Sequence, residues 1–185
     1  MVNRLSFVPG ESSAHGRYFW EPIVDGRPLR QILDGSPPED SAAERGVLDN
    51  VPVLVHNWSI GMTDDVLVLL GQRPPELANG RVPIFVCGDC GDLGCGAITA
   101  AVEWTADTVV WRDFGWDVNY ETDEDDDDDP EFAGPLIFDR AQYETELQRF
   151  IDTFYEVRAS LPAPTLPSPR DTQRRRRPRD WWPFT

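Results

Sequence analysis

Apolar positions along this chain fall into short runs, and two periodicities sort them. Tyr143, Leu147, Phe150, Phe154 and Val157 recur at steps of four, three, four and three residues, which is the stripe of one helix face. Asp139 precedes the stripe as an N-cap, Gln142 stands three residues on as in a capping box, and Phe138 is placed to staple onto Tyr143. The pattern predicts a helix that runs to about Ser160 and covers one face of a sheet. Upstream the period drops to two. Ile98, Ala100, Val102 and Trp104 alternate with Ala97, Thr99, Ala101 and Glu103, and Val109 and Trp111 continue the apolar face beyond a turn at 105–107. With Ile84, Phe85 and Val86, a run too short for a helix, these predict three consecutive antiparallel strands, and Leu136 to Phe138 adds a last one.

The N-terminal half is less regular. Arg4 to Val8 reads as an edge strand and GESSAHG as a loop that leaves His15 in solvent. Tyr18 to Val24 is a strand that enters the turn dipeptide Asp25-Gly26, after which Pro28 opens a short helix carrying Leu29, Ile32 and Leu33 and stopped by Gly35. SPPEDSAAERG is a surface loop. Val51 to Trp58 is an apolar run interrupted by Pro52 and holding His56, and Thr63 caps a short helix whose buried content is Val66, Leu67, Leu69 and Leu70, ended by Gly71. The sum is an α+β fold: a mainly antiparallel sheet, a C-terminal amphipathic helix packed on it, and short helices N-terminal to the sheet core. Residues 1–160 are expected to form one globular domain.

Charge changes this picture at two places. The chain has 185 residues and a formal charge of -16, and its basic side chains are all arginine. Asp125 through Asp129 are consecutive, and five adjacent carboxylates cannot be buried together, so 122–133 is expected to be a solvated, mobile acidic loop. From Leu161 the sequence becomes LPAPTLPSPRDTQRRRRPRDWWPFT, a Pro/Arg-rich segment that reads as a disordered tail over 161–185. Arg174, Arg175, Arg176 and Arg177 beside Trp181, Trp182 and Phe184 form a candidate partner-binding cluster, and the same tail could instead fold back on the acidic body. The acidic body argues against nucleic acid and for a basic protein partner. No apolar run approaches the ~20 residues of a membrane helix, and no apolar leader opens the chain, so a cytoplasmic location is expected.

The chemistry is concentrated elsewhere. All three cysteines, Cys87, Cys90 and Cys95, fall within nine positions on a glycine-rich turn between two strands. Cys87 and Cys90 have the spacing of a knuckle that presents two thiolates to zinc. Four ligands close a structural zinc site, and the fourth would come from His56, the better of the two histidines, or from His15, Asp89, Asp92 or water. A thiol redox pair is a second reading, weakened by the strand that follows where a helix N-terminus would normally lower the thiol pKa. Burial of three small side chains in a tight loop is the third.

The runs CGDCGDLGCGAITAAV, DTVVWRDFGW and GPLIFDRAQYETEL carry a resemblance over roughly Val66 to Leu147. There the chain resembles a family of small, functionally uncharacterised actinobacterial proteins with a CGD-LGCG turn followed by a VVWRDFG strand. The resemblance implies a single domain and no particular reaction; the acidic insert and the arginine-rich tail fall outside it.

Enzyme templates do not fit. There is no GxxxxGK[ST], no GxSxG and no HExxH, and the glycines at 88, 91, 94 and 96 lie between strands, whereas a dinucleotide loop leads into a helix. The absence of lysine excludes Schiff-base chemistry. The expectation is a non-enzymatic protein-interaction module, with zinc a possible cofactor at the cysteine turn, that engages a partner through its Arg/Trp tail or its acidic surface; an acidic immunity or inhibitor protein is one variant. The alternative is a thiol-dependent oxidoreductase using Cys87 and Cys90.

Overall fold

Residues 1–33, 50–120 and 134–162 are described by the structure, a computed structural model. The expectations for the acidic loop, for most of the Pro/Arg-rich tail, and for Arg174 to Arg177, Trp181, Trp182 and Phe184 lie outside the described residues.

The chain begins with a hairpin. Strands β1 (Leu5–Ser12) and β2 (Arg17–Val24) pair antiparallel from Leu5↔Val24 to Ser12↔Arg17. The first strand thus extends four residues beyond the expected Val8, because Pro9 to Ser12 find full partners on β2. Asp25 and Gly26 both have positive φ, 50° and 82°, and this mirror-image turn matches strand twist and returns the chain as the short β3 (Arg27–Pro28). The Asp25 carboxylate accepts from Asn3 Nδ2 and from the Arg4 N–H, both at 2.7 Å. Those two bonds hold its pKa below the usual value. Helix α1 (Leu29–Leu33) follows directly and buries Leu29 and Leu33.

The second sheet is a five-strand antiparallel meander in chain order: β4 (Asn50–Pro52), β5 (Val82–Cys87), β6 (Ala97–Trp104), β7 (Thr108–Asp117) and β8 (Leu136–Asp139). Of the apolar run 51–58, only its start is strand. The remainder is held by backbone bonds to neighbours, Trp20 N–H to Leu54 O at 3.0 Å and His56 N–H to Tyr18 O at 2.8 Å. A bridge between Phe19 and Val55 joins the two sheets at this side, and one between Asn3 and Phe138 joins them at the other. The eight strands therefore form a curled, nearly continuous β layer, and the core lies inside the curl.

Helix α3 (Arg140–Ser160) fills it, burying Tyr143, Leu147, Phe150 and Phe154, four of the five stripe residues; Val157 is half-buried. The Asp139 carboxylate accepts from the Gln142 N–H at 2.9 Å, and the Phe138 and Tyr143 rings meet at 5.8 Å. The other half of the expected capping box is absent, because the Gln142 side chain is used elsewhere. Its amide donates to Leu5 O (2.6 Å) and accepts from the Leu5 N–H (3.3 Å), which seams the helix to β1.

Two further expectations are corrected. Thr63 does not cap helix α2 (Asp65–Leu69). Asp64 occupies the N-cap without a side-chain bond, and the Thr63 hydroxyl donates to the Asp65 carboxylate at 2.5 Å. Burial holds that carboxyl above its usual pKa, which the Thr63 bond partly offsets. In β6 the alternation holds only in the second half. Ala97, Ile98, Thr99 and Ala100 are all buried because both faces are covered at that end. Thr99 tolerates this through Arg81, whose Nε donates to the Thr99 hydroxyl at 2.8 Å and to Asp117 at 2.6 Å.

Candidate functional site

The ends of β5 and β6 place the cysteine turn. Cys87 is the last residue of β5, and the nine residues before Ala97 fold back tightly enough that Gly91 N–H donates to Cys87 O at 2.8 Å. A 3-10 turn, Leu93–Cys95, completes the connection. Asp92 caps it by accepting from Gly94 N–H at 2.6 Å, and buried Leu93 pins it to the core. Gly96 ends it at φ 88° and ψ 153°, a conformation essentially confined to glycine, with the Trp116 ring packed where a Cβ would be.

This folding gathers the three sulfurs. The Sγ atoms of Cys87, Cys90 and Cys95 all lie within 4.8 Å of one another, with Cys90 and Cys95 at 3.5 Å, and all three thiols are free. Cys87 is half-buried and the other two are exposed. Burial pushes the Cys87 thiol pKa up. Hydrogen bonds from the backbone N–H groups of Cys90 and Asp89, and from the Cys90 and Cys95 thiols, outweigh it and leave the pKa below its ordinary value. Backbone N–H groups two and three residues on that converge on the first sulfur of a CxxC pair favour the thiolate that a metal requires. Cys90 Sγ receives a similar bond from Asp92 N–H at 3.4 Å. Cys95 goes the other way, pushed up to about 11 by its hydrogen bond with Cys90 and by the charges of Cys87 and Cys90. The turn's backbone bonds thus set three sulfur donors at a spacing that fits one divalent cation.

A clasp from distant parts of the chain supports the turn. Arg17, at the start of β2, donates from its guanidinium to Gly88 O and Asp89 O, each at 2.7 Å, and stacks 4.3 Å over the Trp58 ring. Trp58 in turn lies against Gly91, where an added Cβ would come within 3.1 Å of it. His15 is not the solvent-facing residue expected. Its side chain is 17% exposed, its ring lies against Gly88, and its Nδ1 is 2.9 Å from Asp89 Oδ1. None of Arg17, Trp58, Trp116 or His15 carries a local sequence signal for this role, because each reaches the turn through pairing between distant segments.

His56, the expected fourth ligand, is not brought to the sulfurs. It is 1% exposed and sits in the core between Trp20, Phe150 and Phe154, with ring centroids at 5.9, 4.8 and 5.5 Å. Its Nε2 has no hydrogen-bond partner, and burial lowers its pKa to about 4. An aromatic box of this kind favours the neutral ring and makes His56 a core residue. Among the described residues the group able to hold a metal is the three cysteines alone. A scan against models of protein families, a search of curated proteins and a search of solved structures each found no match.

Proposed function

We propose that this chain is a non-enzymatic protein-interaction module built on a small metal centre, with zinc held by the thiolates of Cys87, Cys90 and Cys95. The observation that carries the reading is the convergence of three sulfurs within 4.8 Å of one another on a turn whose backbone N–H groups stabilise the first thiolate. Thiolate softness and the CxxC spacing suit zinc among the divalent ions. The metal would lock the β5–β6 connection, and with it the Arg17–Trp58 clasp, into one rigid surface. The partner is a basic protein attracted by a chain whose formal charge is -16. No helix among the described residues is long and apolar enough to cross a membrane.

Native mass spectrometry with metal analysis, before and after a chelator, tests the centre. One zinc per chain, lost with chelator and lost in Cys90→Ser, is the expected result. A chain that purifies without metal and takes up none at micromolar zinc would refute it.

The mutual reach of the sulfurs and the stabilised Cys87 thiolate also favour a second reading, a thiol oxidoreductase working through Cys87 and Cys90. Alkylation separates the two. In the metal reading the thiols resist iodoacetamide until chelator is added, whereas a redox pair leaves Cys87 reactive from the start.

A further inference from the structure

Among the described residues no fourth ligand joins the cysteine centre, and we propose that this position is completed from outside, by the uncharged imidazole of a histidine on a partner protein. The inference rests on the metal reading above and names what completes that centre. The sequence contains three cysteines, so no fourth thiolate exists, and both of its histidines are accounted for. His56 is enclosed by Trp20, Phe150 and Phe154, and the Nδ1 of His15 is held at Asp89 with the ring against Gly88. Neither joins the group of mutually close donor atoms.

Access and charge point to the same donor. Cys90 and Cys95 are exposed, so the open side of the cluster faces solvent. Three thiolates on a divalent ion leave one net negative charge, in a turn that also carries Asp89 and Asp92 on an acidic chain. An anionic fourth ligand would raise that charge against its surroundings, whereas a neutral imidazole leaves it unchanged and suits zinc beside thiolates. The Trp116 ring, packed on Gly96 and 42% exposed, offers an incoming ring a face to stack on.

The experiment uses the full chain loaded with cobalt(II), whose visible bands report its ligands. Addition of imidazole should shift those bands, and azide should need a concentration about tenfold higher to produce a shift of its own. An arginine-rich peptide containing one histidine should act at lower concentration than free imidazole, and the same peptide with alanine in place of histidine should leave the bands unchanged. The proposal is overturned if imidazole leaves the cobalt bands unchanged, because no position at the centre is then open to a ring from outside. Azide acting as readily as imidazole overturns the charge argument, and a histidine peptide no better than free imidazole overturns the protein source. A chain that shows no sulfur-to-cobalt charge-transfer band at all removes the thiolate centre itself, a failure distinct from the others.

Discussion

Gly96 sits at a backbone conformation that any Cβ strains, and Trp116 occupies the space the Cβ would need. Gly96→Ala should therefore lower stability by about 1–3 kcal/mol, read by urea unfolding, and weaken metal uptake because Cys95 immediately precedes it. An unchanged urea midpoint would show that the turn has another conformation open to it. His56 makes the opposite kind of demand, on protonation. Its folded pKa, about 4, is below the ordinary 6.5, so between those values the unfolded chain binds the additional proton. The stability it permits is complete above pH 6.5 and is lost as the pH falls towards 4. Melting temperatures measured across that window should decline in the native chain and decline less in His56→Phe, which keeps a ring in the box formed by Trp20, Phe150 and Phe154. Equal slopes would place the acid sensitivity elsewhere. At Cys95 the relevant pKa lies above neutrality, at about 11, so this thiol still carries its proton at pH 7. Zinc uptake would displace it, and calorimetry in buffers of different ionisation enthalpy should register proton release on metal binding at that pH, with affinity rising as pH rises.

At the scale of elements, α3 was legible from its residues because its determinants are local: a cap, a staple and a stripe at helical spacing all lie within 21 residues. Even there the Gln142 side chain departs from the local rule, since its amide finds both a donor and an acceptor on Leu5 of β1. Asp139→Ala should cost about 1 kcal/mol as the loss of an ordinary cap. Gln142→Ala should cost at least as much, since it leaves two backbone groups of Leu5 without their partner, and should also speed hydrogen exchange at the Leu5 amide, which Asp139→Ala should not. The β6 alternation misled for a physical reason: period two marks a strand with one wet face, and Ala97 to Ala100 have none. The short helix after Thr63 lies where its residues place it but has a different cap, because Thr63 satisfies the half-buried Asp65 carboxyl instead of the backbone.

Across the whole molecule, strand pairing brings together what the sequence keeps apart. Arg17 and Gly88 stand 71 residues apart and share a 2.7 Å hydrogen bond, and no spacing rule along the chain announces it. The cysteines were legible as a cluster since nine positions contain them all; the His56 assignment failed because a histidine in an apolar run serves packing as readily as ligation. If the metal centre and clasp act as one unit, chelation should raise hydrogen exchange at 88–96 and at the hairpin tip around His15 while α3 stays protected, and saturating zinc at a hundredfold over its dissociation constant should add about 2.7 kcal/mol. Uniform loss of protection on chelation would mean that the centre supports the entire fold.

Near the far end of α3, the Arg158 guanidinium donates to the carbonyls of His56 and Trp58, each at 2.7 Å. The helix terminus is thereby moored to the segment whose tryptophan roofs Gly91. A load applied to the polypeptide just past residue 162 would pass through this strut into the 56–58 segment, and from there both to β2 through His56 and to the cysteine turn through Trp58 on Gly91.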